Sequence, residues 1–312
     1  MLRSCQAAME WVAADFVNIL LPSDCRVCGG AMVALSRVRI CEACVARVGA
    51  LTDAGEDVYC TRCGDAMGME SARFAAAMGV SECTMCRLAP PQFDRAVSFS
   101  SYEDEMRSML HLLKFEGMRD IAEHVLGEAM AQTALRLRED SATELVVVAV
   151  PLYVARERRR GYNQAKLLAE ALVKRLRQAA PGWTLRLRCD VLERAKDTHA
   201  LYGLNPTQRR SSLRGAFRVA DMEVVRGHEV LLVDDIMTTG ATARECARVL
   251  KRAGATKVWV VTAARALPES VHGAVLQQPK GVANPAAADT AMWDATPARV
   301  IEPGVGKQAG FL

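Results

Sequence analysis

Residues 228–250 read HEVLLVDDIMTTGATARECARVL, and this stretch decides the fold. An apolar run of buried-strand length, Val230–Val233, leads directly into Asp234–Asp235. A small polar turn, Thr238–Thr239–Gly240–Ala241–Thr242, then opens a helix. Its apolar stripe is Cys246, Val249, Leu250 and Ala253, with Gly254 as the expected C-cap. The turn offers backbone N–H groups, three hydroxyls and a helix N-terminus, which together make an anion cradle. Gly240 permits close backbone approach. Two acids beside a phosphate repel it unless sugar hydroxyls or a magnesium ion lie between, so the pattern points to a ribose 5-phosphate.

Working outward, three more apolar runs read as strands: Ala96–Ser100, Leu145–Val150 and Lys257–Thr262. Leu168, Ala169, Leu172 and Leu176 form a second helical stripe. Alternating strands and helices predict an α/β fold, a mostly parallel sheet covered by helices on both faces. Ligands of such sheets sit beyond the carboxyl ends of the strands. There the chain places Pro151 and then a basic loop with Arg156, Arg158, Arg159 and Arg160, before a helix beginning near Tyr162. Guanidinium groups at that position suit phosphate oxygens.

The amino-terminal part has a different texture. Nine of the eleven cysteines lie in the first 86 of 312 residues. Eight of them form C-x-x-C pairs: Cys25/Cys28, Cys41/Cys44, Cys60/Cys63 and Cys83/Cys86. A two-residue gap lets a tight turn aim both thiolates at one tetrahedral ion, and the spacings fit two four-cysteine zinc sites. Gly29–Gly30 and Gly64 stand where such turns need glycine. A segment with little apolar core gains folding energy from the ion, and four thiolates leave no open position for water. Sequential pairing of the C-x-x-C units and interleaved pairing both satisfy the spacing. Disulfides or a redox-active pair are the competing readings, and the lack of an export signal weighs against them.

The first residues carry no continuous apolar signal region, because Glu10 and Asp15 interrupt it. Met9, Val12, Ala13, Phe16, Val17, Ile19 and Leu20 recur at helical spacing instead. No apolar stretch is long enough to span a membrane, and a cytoplasmic location is expected. The net charge of +4 is too small over this length to mark a nucleic-acid binder, and 5% aromatic residues give little base-stacking capacity.

The stretch around Asp234–Asp235 resembles the signature of type I phosphoribosyltransferases. The resemblance implies that Asp234 and Asp235 contact the ribose hydroxyls of phosphoribosyl pyrophosphate (PRPP). It implies that Met237, Thr238, Thr239, Gly240, Ala241 and Thr242 bind its 5-phosphate. Three further stretches are similar to the ComF family: RRGYNQA from Arg159, the segment carrying Tyr102, Lys114 and Gly117, and a mobile-loop motif with Thr198, Leu204, Arg209, Arg210, Leu213, Gly215 and Phe217. Tyr202 and Ser212 depart from that motif, where family members often carry glutamine and asparagine.

The family joins a cysteine zinc module to a phosphoribosyltransferase-like domain and is associated with DNA uptake in natural competence. Expected domains are an N-terminal helix (1–21), a zinc module with two sites (22–91), a phosphoribosyltransferase-like domain (92–267) and a flexible tail (268–312). Expected ligands are about two structural zinc ions and PRPP with magnesium, with Arg160 facing the leaving group and Pro151, Gly161, Arg209 and Arg210 completing the site. Single-stranded DNA and a competence helicase or recombination protein are the expected macromolecular partners. Active transfer to an unidentified small acceptor and a ligand-regulated interaction module without turnover are the alternatives.

Overall fold

The computed structural model describes residues 23–32, 37–49, 51, 58–197 and 212–266. The expected N-terminal helix and tail, and with them Thr198, Leu204, Arg209 and Arg210, lie outside the described residues. Every described residue falls within one compact unit, Met1–Val275.

The central sheet follows from the apolar runs. Its strands are β5 (Arg95–Ser101), β6 (Glu144–Ala149), β7 (Thr184–Leu187), β10 (Glu229–Met237) and β11 (Lys257–Arg265), ordered β5-β11-β10-β6-β7. All four pairings are parallel, with Val230 opposite both Val258 and Val146. Valines and leucines at 145–148 and 230–233 are fully buried, as expected for strands covered on both faces. The connection β6–α7–β7 steps one way across the sheet and β10–α8–β11 steps the other, where α7 is Gln164–Ala179 and α8 is Ala241–Arg252. Right-handed crossovers therefore put α7 and α8 on opposite faces. The switch point falls between the carboxyl ends of β6 and β10, where open α/β sheets bind ligands.

Two features differ from the sequence reading. Strand β10 runs on to Met237, beyond the apolar run Val230–Val233, so both aspartates lie inside the strand near its carboxyl end. The basic loop is a short helix, α6 (Val154–Arg160), stopped by Gly161 at φ +81°. Arginine and alanine favour helix, and Gly161 alone accepts the left-handed stop without strain. Asn163 then caps α7 by accepting from the Ala165 amide at 2.9 Å. Strand β7 and the antiparallel pair β8 (Leu192–Arg194) with β9 (Phe217–Val219) are absent from the sequence reading, being only three or four residues long and each interrupted by charge.

Two small knuckles precede the sheet. Strand β1 (Ser23–Asp24) pairs with β2 (Ala31–Met32), and β3 (Val58–Tyr59) pairs with β4 (Ala66–Met67). Helix α1 (Glu42–Arg47) completes the first knuckle; α2 (Met69–Ala77) and α3 (Thr84–Leu88) complete the second. Helix α4 (Asp104–Phe115) follows β5, and a π-helical turn (Ala122–Leu126) continues into α5 (Gly127–Leu135). Among the described residues no helix is long and apolar enough to cross a membrane.

Candidate functional site

The carboxyl end of β10 gathers the proposed ligand groups. Asp234 accepts from the Asp235 amide through Oδ1 at 2.9 Å. Asp235 is buried, and its Oδ2 lies 2.7 Å from Lys114 Nζ in the last turn of α4. Burial pushes the Asp235 carboxyl up, but Lys114 outweighs it and holds the group below the usual carboxylate range. Burial and the Asp235 charge together push Asp234 well above that range. The two carboxyls titrate as a coupled pair, with the Lys114 cation favouring charge on Asp235.

Past the acids, Met237 is buried and Gly240 sits at φ +69° as the N-cap of α8. A Cβ on Gly240 would meet only the mobile end of Met237, at 2.8 Å from Cε, so the turn needs glycine for its left-handed conformation. No side chain caps α8, which leaves its first N–H groups to an external acceptor. Thr238 is exposed, and Thr239 and Thr242 are half-buried beside it.

On the β6 side, Val150 donates to Val233 at 2.9 Å, bringing Pro151 alongside the acids. Asn163 Nδ2 donates to Val150 O at 3.0 Å and ties the start of α7 to that strand end. Tyr162 donates its hydroxyl to Leu113 O, fixing α4 against the α6–α7 junction. Arg160 donates to Gln164 and stacks on Phe115, its guanidinium carbon 5.3 Å from the ring centroid. Burial lowers the Arg160 pKa, and the Asp235 charge opposes the shift. Arg158 and Arg159 are exposed, and Arg156 Nε lies 3.7 Å from Asp197 Oδ1. The structure thus places Asp234, Asp235, Arg160, Pro151, Gly161 and residues 237–242 around one switch point.

Two contributors were missed as site residues. Lys114 stands out in the sequence only within the stretch shared with the ComF family, and nothing in its local sequence says that it pairs with Asp235. Arg194, on β8, stands over Phe217 at 5.4 Å and lies within the electrostatic reach of Asp234. Burial lowers its pKa, with nearby Arg156 adding to the shift.

The cysteines form two groups of four, Cys25/Cys28/Cys41/Cys44 and Cys60/Cys63/Cys83/Cys86, whose sulfurs all lie within 4.8 Å of one another in each group. The pairing is sequential. Separations of 3.8 Å recur at Cys25–Cys44, Cys28–Cys41 and Cys63–Cys83. About 3.8 Å is the edge of a tetrahedron with zinc–sulfur bonds of about 2.3 Å, whereas a disulfide needs about 2.05 Å. Both groups can therefore hold zinc. In each, the amide at the start of the second C-x-x-C donates back to the first cysteine: Cys41 to Cys25 Sγ at 3.3 Å, Cys83 to Cys60 Sγ at 3.2 Å. Gly29 and Gly64 make the intervening turns at φ +71° and +68°. Burial pushes the Cys25 thiol up, but backbone donors from Cys41, Cys28 and Val27 bring it down to about 6.

Sheet order, switch point and the acid–turn–helix sequence define a phosphoribosyltransferase-like protein, and residues 133–272 match the phosphoribosyl transferase domain family. The chain is 31% identical over 252 residues to the DNA utilization protein YhgH of Salmonella typhimurium, an alignment covering 80% of this chain and 100% of that one. Competence protein F of Haemophilus influenzae is 29% identical over 67% of this chain and 85% of its own length. Competence protein ComFC of Bacillus subtilis is 30% identical over 50% of this chain and 58% of its own. The chain belongs to the ComF family.

Proposed function

We propose that this protein binds PRPP with magnesium at the carboxyl end of β10, holds zinc in both four-cysteine groups, and acts in natural competence on incoming single-stranded DNA. The observation that carries the ligand assignment is the buried Lys114–Asp235 pair beside an uncapped helix N-terminus at the switch point of the sheet. The competence role rests on relatives named for competence and DNA utilization.

In this reading, the α8 N-terminus and residues 238–242 hold the 5-phosphate, with backbone N–H groups and threonine hydroxyls donating to its oxygens. Lys114 keeps Asp235 ionised and fixed as an acceptor for a ribose hydroxyl. Asp234 accepts from the other hydroxyl once it gives up its proton. Arg160, held by Gln164 and Phe115, faces the pyrophosphate. Magnesium, when bound with PRPP, offsets the charge of the pyrophosphate oxygens. If the site turns over, an acceptor attacks C1 of the ribose as pyrophosphate departs, and this chain contributes positioning and charge rather than a base.

Calorimetric titration with PRPP and magnesium tests the pocket. The wild-type chain is expected to bind and the Asp234→Asn/Asp235→Asn variant to lose binding by at least about a hundredfold; equal affinity removes the assignment. Pyrophosphate release in the presence of nucleobases, amines and single-stranded DNA then separates transfer from binding alone.

A further inference from the structure

We infer that the second four-cysteine group is mechanically and electrostatically coupled to the proposed phosphate turn through two positioning residues, Arg244 and Arg265. The inference rests on the PRPP reading above and assigns a control element to that same site.

Both arginines belong to the sheet domain, and both reach sulfur ligands of the second knuckle. Arg244 lies in the first turn of α8, where its amide donates to Gly240 O at 2.8 Å. Its guanidinium donates to Ala89 O at 2.5 Å and to Cys86 Sγ at 3.9 Å. Arg265 ends β11, directly opposite Met237 in the parallel register. It donates through Nη1 to Cys63 O at 2.7 Å and through Nη2 to Cys63 Sγ at 3.9 Å, while Nε lies 3.1 Å from Asp65 Oδ1. The next residue, Ala266, donates to Met237 O at 3.0 Å. The turn from Met237 to Thr242 is thus bracketed at its start by Arg265 and at its end by Arg244. Each bracket terminates on the same cluster.

The charge balance explains why arginines stand there. A divalent ion held by four thiolates is a dianion, and the two guanidiniums bring positive charge to two of its sulfurs, with Asp65 meeting part of the Arg265 charge. At 3.9 Å each N–H···S contact is weak alone; its strength comes from the charge and from burial of Arg265. Loss of the metal removes the ion that fixes Cys63 and Cys86 in place, and the contacts of both arginines to that knuckle loosen with it. Metal occupancy and ligand affinity are then linked, and the linkage is reciprocal. The first cluster has no such connection among the described residues: its sulfur-bonded guanidinium, Arg47 to Cys44 Sγ at 3.0 Å, comes from its own knuckle.

The test uses the full zinc-loaded chain challenged with a chelator and an alkylating agent, with and without PRPP and magnesium. Peptide mass spectrometry reads which cysteines become free. PRPP is expected to slow alkylation of Cys63 and Cys86 about tenfold and to leave Cys25 and Cys44 within twofold of the unliganded rate. Arg244→Ala is expected to abolish that protection and weaken PRPP binding about tenfold, although Arg244 is not placed on the ligand. Arg244→Lys, which restores a donor to Ala89, is expected to recover part of both. Tight PRPP binding with unchanged Cys63 and Cys86 alkylation in the wild type overturns the coupling alone. No PRPP binding by the wild type overturns the functional reading and the coupling with it.

Discussion

The two cysteine knuckles share a plan and differ in how they are attached. Each has a two-stranded hairpin around one C-x-x-C, a left-handed glycine in its turn, and a short helix carrying the other. The first is tied to α4 by exposed ion pairs, Arg26–Glu116 and Arg47–Glu105. The second is built into the domain. Its Arg62 carbonyl accepts from the β5 residue Ala96 at 2.8 Å, and it receives the Arg265 side chain, only 4% exposed, as well as Arg244. Exposed pairs contribute little, because solvent screens them and two long side chains must be ordered. Buried, multiply bonded cations are costly to disrupt, since removing one partner strands the other. Repeated local structure therefore does not mean repeated function. The first knuckle touches the helix that presents Lys114, and the second touches both ends of the phosphate turn.

The largest expected effect sets the two clusters against each other. Cys63→Ser should release one zinc per chain and destabilise the whole domain by about 4 kcal/mol or more, seen as a large fall in Tm by calorimetry. Cys28→Ser, at an exposed ligand, should also release one zinc but leave the main transition much less altered. Equal falls in Tm would break the distinction. Next comes Lys114→Met. Stranding the Asp235 carboxylate should cost about 3 kcal/mol in urea denaturation and raise the Asp235 pKa, because the cation that lowers it is gone.

Asp234 gives a smaller effect with a defined sign. Its folded-state pKa is raised, so above the unfolded carboxylate value of about 3.9 the native state binds more protons than the unfolded chain. Stability is therefore lost as pH rises through the folded value. Asp234→Asn should remove that loss, so its advantage over the wild type grows from pH 4 to pH 8 (about the range to scan) while PRPP binding disappears. An unchanged pH profile would show that Asp234 is ionised in the free protein. Smallest of all, Arg26→Ala in the first knuckle should change stability by about 0.5 kcal/mol or less, with the residual difference fading in high salt.

Much of the site was legible because its elements are contiguous. Strand, acids, glycine turn and helix lie within 23 residues, and local physics fixes each: apolar length makes a buried strand, Gly240 makes the turn, and a helix N-terminus binds anions. The C-x-x-C spacing likewise picks out eight cysteines able to hold metal, yet leaves their grouping open; the 3.8 Å sulfur separations decide it. The basic segment before Tyr162 reads as a loop although its own composition favours helix, and strands β7, β8 and β9, three or four residues long and each holding a charged residue, are too short to show a period.

By itself, then, the sequence determined the parallel sheet, the acidic strand end with its glycine turn, and which eight cysteines stand in C-x-x-C pairs able to hold metal. Each depends on neighbours a few residues apart, where spacing and side-chain chemistry suffice. Only the tertiary structure selected Lys114 from 40 lysines and arginines as the partner of Asp235, and sent Arg244 and Arg265 to the second cluster rather than to solvent. Those contacts join residues more than 100 positions apart. The chain carries no local signal for them, because which cation meets which anion is set by where the sheet order and its crossovers deliver the strand ends.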